Sequence, residues 1–127
     1  VTNTLTSPLH VQREVEGLAI VVRATGELDQ STAPAFRAEL RSALAMATSS
    51  LPVVVDLTGV TYFGSMGLNE LLAHQRLADE AGVPFRIVAA HRAVLRPVEV
   101  SGLDQVLDVH PDVERALLPR QRDRSAG

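Results

Sequence analysis

Apolar and polar positions fall into blocks along the chain, and the blocks predict one α/β unit. His10-Val11-Gln12-Arg13-Glu14-Val15 alternates weakly, the pattern of an edge strand, and Glu16-Gly17 is a hairpin-turn signal. Residues 18–24 form a stronger second strand that gives way to Thr25-Gly26-Glu27-Leu28-Asp29. Phe36, Leu40, Ala43, Leu44 and Ala47 then recur at three- and four-residue steps, one face of a helix. Ser31 or Thr32 can cap that helix, and Pro34 stands where a first turn tolerates it. Residues 51–57 carry the run Val53-Val54-Val55, which predicts a central parallel strand buried on both faces.

The polar segment 58–64 is predicted to be a loop leading to Ser65. A helix over about 66–80 puts Leu68, Leu71, Leu72, Gln75 and Ala78 on one stripe, and Gly82 supplies a left-handed stop. The pattern continues as a strand at 84–89, a short helix at 93–100, a strand at 105–109 and a last helix at 112–118, with Asp112 in its first turn. Strands and helices that alternate after a hairpin give a mostly parallel five-stranded sheet with about four helices. The predicted domain spans residues 9–118, with flexible tails at 1–8 and 119–127.

Composition narrows the function classes. At 127 residues, with 46% apolar and 21% charged positions, the chain is sized for one domain with a real core. It has no cysteine, which excludes disulfides and thiolate chemistry and suits the cytoplasm. No run approaches the 18 apolar residues of a membrane span, and the first residues lack the pattern of a secretory signal. All 12 basic residues are arginine; without the segment from Pro119 onward, 9 arginines face 14 acids. A body of that sign is a poor partner for a phosphate backbone, so no nucleic acid is expected. His10, His74, His91 and His110 show no metal-ligand spacing, so no metal or cofactor is expected. With no lysine present, a Walker-type phosphate loop is excluded.

Phe63-Gly64-Ser65-Met66-Gly67 is the segment with candidate chemistry. A hydrolase elbow needs a small residue two before the serine and a strand running straight into it. Here Phe63 holds that position and a loop is predicted between strand and serine. A triad with His74 and Asp29 can be drawn, but the chain is short for a substrate pocket. The other reading makes Ser65 an exposed helix N-cap. Such a cap is open to two roles, a plain structural one or a phosphoacceptor, because a helix N-terminus tolerates a phosphate.

Gly26-Glu27-Leu28-Asp29, followed by Asp56-Leu57-Thr58-Gly59-Val60-Thr61-Tyr62-Phe63-Gly64-Ser65-Met66-Gly67-Leu68 and then Ser101-Gly102-Leu103, resembles the STAS domain of bacterial anti-sigma factor antagonists. The resemblance covers roughly residues 9–118 and implies a STAS-like fold. It also implies a non-enzymatic, cytoplasmic regulator of bacterial transcription. Its partner would be an anti-sigma factor of the serine-kinase type, bound by the unmodified chain and released by phosphorylation. By position, Ser65 is the implied acceptor, and Glu27, Asp29, Gly64, Met66, Gly67 and Leu68 the implied partner surface. The sequence departs from the family's Asp-Ser-Ser at Gly64 and Met66: a carboxylate is lost and a flexible apolar side chain gained. A phosphate carried into that surface near Asp29 and Glu27 has no visible basic partner. Burying it unpaired costs several kcal/mol, and ~3 kcal/mol weakens binding by roughly a hundredfold.

Two other classes compete. One is an unphosphorylated STAS subunit of a larger signalling or lipid-transport assembly; the other is a small serine hydrolase. An edge strand at residues 10–15 leaves weak self-pairing open, so a monomer or weak dimer is expected.

Overall fold

The computed structural model of the protein describes residues 9–118. The tails expected at 1–8 and 119–127 lie outside them. Within the described residues, the elements run β1 (Leu9–Glu16), β2 (Ala19–Leu28), α1 (Ala33–Met46), β3 (Val53–Phe63), α2 (Ser65–Ala81), β4 (Phe85–Val88), α3 (Arg92–Val100), β5 (Asp108–His110) and α4 (Val113–Ala116). The strands form one sheet in chain order, β1-β2-β3-β4-β5. β1 and β2 pair antiparallel as a hairpin, and all later neighbours pair parallel.

Side chains of a strand point alternately to its two faces, and here each face has its own cover. Ile20, Val22, Val53, Val55, Phe85 and Ile87 face the main core with Phe36 and Leu40 of α1, Leu71 and Ala78 of α2, and Val94 and Val98 of α3. Ala19, Val21, Val54 and Val88 face the other way, under Ala116 of α4. Val53, Val54 and Val55 are fully buried, as a central strand requires. On the α4 side, Arg86 is also buried and its guanidinium donates to the Ala116 carbonyl at 2.7 Å.

Local chemistry explains the boundaries. Gly82 takes φ 72, and Val83 N–H then reaches back to the Ala78 carbonyl at 2.9 Å, closing α2. Asp112 is the N-cap of α4 and not a first-turn acid: its carboxylate accepts the Arg115 N–H at 2.8 Å.

Besides Asp112, three expectations are corrected. The segment 58–64 is not a loop, because β3 continues to Phe63 beside an equally extended β2. Thr25-Gly26 is paired strand, and Thr58-Gly59 borders the first of two bulges in β3. Arg23 pairs with Asp56 but Thr25 with Gly59, and Gly26 pairs with Val60 but Glu27 with Tyr62, so β3 carries an extra residue at each step. Gly26 takes φ 108 there, and a Cβ on Gly59 would lie 2.4 Å from the Thr25 methyl. Asp56 anchors the first bulge, accepting from Thr58 N–H at 3.0 Å and from the Arg23 guanidinium at 3.1 Å. The second correction concerns the last strand, which is Asp108–His110; Leu103–Gln105 is a 3-10 turn. The third concerns Ser65 and belongs to the site.

Candidate functional site

β2 and the bulged β3 end side by side at the carboxyl edge of the sheet, Leu28 opposite Phe63. Gly64 N–H then donates to the Leu28 carbonyl at 3.0 Å, so the chain enters α2 tied to the end of β2. Gly64 itself is extended, and its carbonyl accepts from Gly67 N–H at 3.0 Å and Leu68 N–H at 3.3 Å. Gly64 is therefore the N-cap, and Ser65 is the first residue of α2. The expectation that Ser65 caps the helix is corrected on that ground. Its side chain is exposed, and among the described residues its hydroxyl makes no hydrogen bond within the chain.

Asp29 follows Leu28 and turns the chain into α1. One of its carboxylate oxygens, Oδ1, accepts from Ser31 N–H at 2.9 Å, from the Ser31 hydroxyl at 2.8 Å and from Thr32 N–H at 3.1 Å. The Asp29 carboxyl is held below its ordinary value, chiefly by the Ser31 hydroxyl and then by the backbone donors of Thr32 and Ser31. Thr32 is the N-cap of α1, but its hydroxyl binds back to β2. It donates to the Glu27 carbonyl at 2.9 Å and accepts Asp29 N–H at 2.9 Å.

These ends frame a surface pocket of about 330 Å³ lined by Asp29, Gln30, Tyr62, Gly64, Ser65 and Met66. Among the described residues lining it there is one acid and no base. Of the residues singled out from sequence, Asp29, Gly64, Ser65 and Met66 meet there. Glu27 is exposed on β2 in register with Tyr62, outside the pocket lining. Gly67 is buried: a Cβ there would lie 2.7 Å from Phe63 Cε1 and 3.0 Å from Leu28 Cδ2. Leu68 is half-buried and packs on the main core. Gly67 and Leu68 thus hold the first turn of α2 down on the sheet. Gln30 and Tyr62 belong to the pocket but do not stand out in sequence. The signal for Tyr62 is the parallel pairing of residues 25–28 with residues 59–63, hidden when the second strand is ended at residue 24 and 58–64 is read as a loop.

One turn further along α2, Glu70 is buried and pairs with Arg37 of α1 at 2.9 Å. The buried His74 ring has Nδ1 2.8 Å from the Glu70 carbonyl, to which it donates. His74 lies nine residues after Ser65, about 13 Å along the helix axis, outside hydrogen-bond reach of the hydroxyl. β3 does run almost directly into the serine, unlike the sequence expectation. The drawn triad nevertheless fails, with His74 engaged by α2 and Asp29 by the start of α1.

A hairpin leading into a parallel sheet, with an exposed serine opening the helix after β3, is the arrangement set against known proteins. The family model described as "Mlab, STAS domain" matches residues 11–111. The chain belongs to the STAS-domain family. Among curated proteins, it is 32% identical over 99 residues to the anti-sigma-F factor antagonist RsfA of Mycobacterium tuberculosis, covering 78% of this chain and 77% of that protein. Among solved structures, an anti-sigma factor antagonist from Mycobacterium paratuberculosis aligns with TM-score 0.79 and 30% identity, covering 86% of this chain and 91% of the other. The anti-sigma factor antagonist SpoIIAA in its unphosphorylated form aligns with TM-score 0.68 at 19% identity, over 91% of this chain and 97% of that one, a likeness of fold.

Proposed function

We propose that the protein is an anti-sigma factor antagonist whose Ser65 surface binds an anti-sigma factor and is switched off by phosphorylation of Ser65. The observation that carries this reading is the Ser65 hydroxyl itself. It is exposed, free of hydrogen bonds to the described residues and set beside Asp29 and Met66, in a chain related to an anti-sigma-F factor antagonist. The protein is then a binding module of transcriptional control, working in the cytoplasm, and not an enzyme.

In this reading the partner is of the serine-kinase type. The γ-phosphoryl of ATP passes to Ser65 Oγ, the hydroxyl proton is lost and ADP leaves. The product is compatible with the fold, because Ser65 opens α2 and the positive end of the helix dipole lies there. It is not compatible with a closed interface. The residues lining the pocket offer no cation, and Asp29 adds a like charge. A penalty of ~3 kcal/mol, modest for a charge desolvated without a partner, lowers affinity roughly a hundredfold.

Calorimetry with a mycobacterial anti-sigma-F factor tests the reading. Ser65→Ala should bind like the wild type and resist release by ATP. Ser65→Glu should bind more weakly, by less than a phosphoserine, because a carboxylate carries less charge. Equal affinity for all three, with no phosphoryl group found by intact mass after ATP treatment, would sink both the contact surface and the switch.

A further inference from the structure

Gly64 is glycine for a reason that its backbone does not supply. At φ −89 and ψ −178 it is extended, a conformation any residue adopts. What a side chain there would meet is Tyr62. A Cβ on residue 64 would lie 3.2 Å from Tyr62 Cε2 and 3.2 Å from the Tyr62 hydroxyl oxygen, with the Leu28 carbonyl next at 3.5 Å. The phenol end of Tyr62 therefore lies against the Gly64 backbone, and a Cβ on residue 64 would press the ring outward by a few tenths of an ångström. Tyr62 remains 54% exposed, so part of its ring rests on Gly64 and part faces solvent beside Ser65 and Met66.

We propose that Tyr62 is the specificity-determining anchor of the Ser65 surface, and that Gly64 is its positioning residue. This rests on the antagonist reading and names the chemistry of the contact. Aromatic side chains with a polar tip concentrate binding energy at the centre of interfaces, and a ring already held in place loses little freedom on docking. Asp29 is a poor anchor by comparison, since its Oδ1 already accepts from Ser31 and Thr32. The partner that fits is a protein surface with an apolar seat for the ring and a hydrogen-bond acceptor for the phenol O–H. It is not one that reads this position through a cation paired to a carboxylate.

Tyr62 is the chain's one tyrosine, and there is no tryptophan, so its ring can be followed without the partner. The experiment combines the ring NMR signals of Tyr62 with binding to a mycobacterial anti-sigma-F factor, for Tyr62→Ala, Tyr62→Phe, Gly64→Ala and the double alanine variant. Gly64→Ser, which keeps a good helix cap, serves as a second variant should the alanine loosen α2. Gly64→Ala should move the Tyr62 ring signals. Tyr62→Ala should weaken binding about tenfold or more, and Tyr62→Phe by less. Gly64→Ala should weaken binding in the presence of Tyr62 and add nothing to Tyr62→Ala, the non-additivity expected of a pair acting as one unit. Unmoved ring signals, full affinity of Tyr62→Ala, or losses that simply add would overturn the proposal. If the wild type itself fails to bind while Gly64→Ala still moves the ring, the antagonist reading falls and takes the anchor role with it, leaving only the packing of ring on glycine.

Discussion

Replacing Gly67 by alanine puts a sign on the packing that holds the site. In an ordinary helix interior this change is favourable, by about 1 kcal/mol, because glycine has more freedom to lose. Here the added methyl would sit 2.7 Å from Phe63 Cε1, 2.9 Å from Phe63 Cζ and 3.0 Å from Leu28 Cδ2. Neither neighbour has room to retreat, since Leu28 is fully buried and Phe63 only 3% exposed. Overpacking a closed core costs roughly 1–3 kcal/mol, and at the third helical position the propensity gain is smaller than in mid-helix. The net expectation is a loss of about 1–2 kcal/mol. For a domain of this size that is a fall in Tm of roughly 4–8 °C. Thermal and urea unfolding read it directly, with an unchanged urea slope showing that stability and not compactness has moved. Asn69→Ala, an exposed change two residues on, is the control and should be neutral or slightly stabilising. A Gly67→Ala protein that melts at or above the wild-type temperature would mean that α2 has slack over Phe63, and the tight seating of the Ser65 turn would have to be abandoned.

Two further expectations test the core and the start of α1. Val54→Asp places a carboxylate among Ala19, Val21, Val88 and Ala116, where Val54 is fully buried, so several kcal/mol are lost and folded protein should not be recovered; a soluble variant with wild-type Tm contradicts that placement. Asp29 has a folded-state pKa below its unfolded value of about 3.9, so its stabilising effect is present above that value and lost as pH falls through the folded one. Asp29→Asn keeps an acceptor but no titration, so the stability gap between wild type and variant should close below about pH 4; urea midpoints that stay parallel down to pH 2 would exclude this role.

How much was legible in the sequence follows from which signals are local. Val53-Val54-Val55 announces a doubly buried strand because a continuous β-branched run has few other uses, and Gly82 announces a helix end because its left-handed φ favours glycine. The extension of β2 and β3 was not legible. Thr25-Gly26 and Thr58-Gly59 carry turn chemistry when each segment is read alone. Only their pairing across the sheet, with Gly59 pressed against Thr25 and Asp56 holding the bulge, turns them into strand. The same pairing brings Asp29 to Gly64 and sets Tyr62 beside the pocket. The sequence pointed to Ser65, Asp29 and Met66, whereas the roles of Gly64 and Gly67 as packing partners of Tyr62 and Phe63 needed the register.

That register also bears on the switch proposed for Ser65. The backbone on both sides of Ser65 is fixed from below: Gly64 N–H is bonded to the Leu28 carbonyl, and Gly67 has no space over Phe63. One turn on, Glu70 joins α2 to Arg37 of α1. Among the described residues the Ser65 side chain has no such tie. A charge added there breaks no hydrogen bond to the described residues and meets no cation in the pocket lining, so it should change the surface and leave the fold. Ser65→Glu should therefore keep its stability within about 1 kcal/mol of wild type, the helix-dipole gain partly offset by repulsion from Asp29. Amide exchange should show unchanged protection through β3 and α2, because those amides open with the core and not with the surface. Loss of protection by about tenfold or more along α2 or α1 would show that charge at Ser65 loosens the helices, and release would then work by a change of shape and not by the electrostatics of the contact.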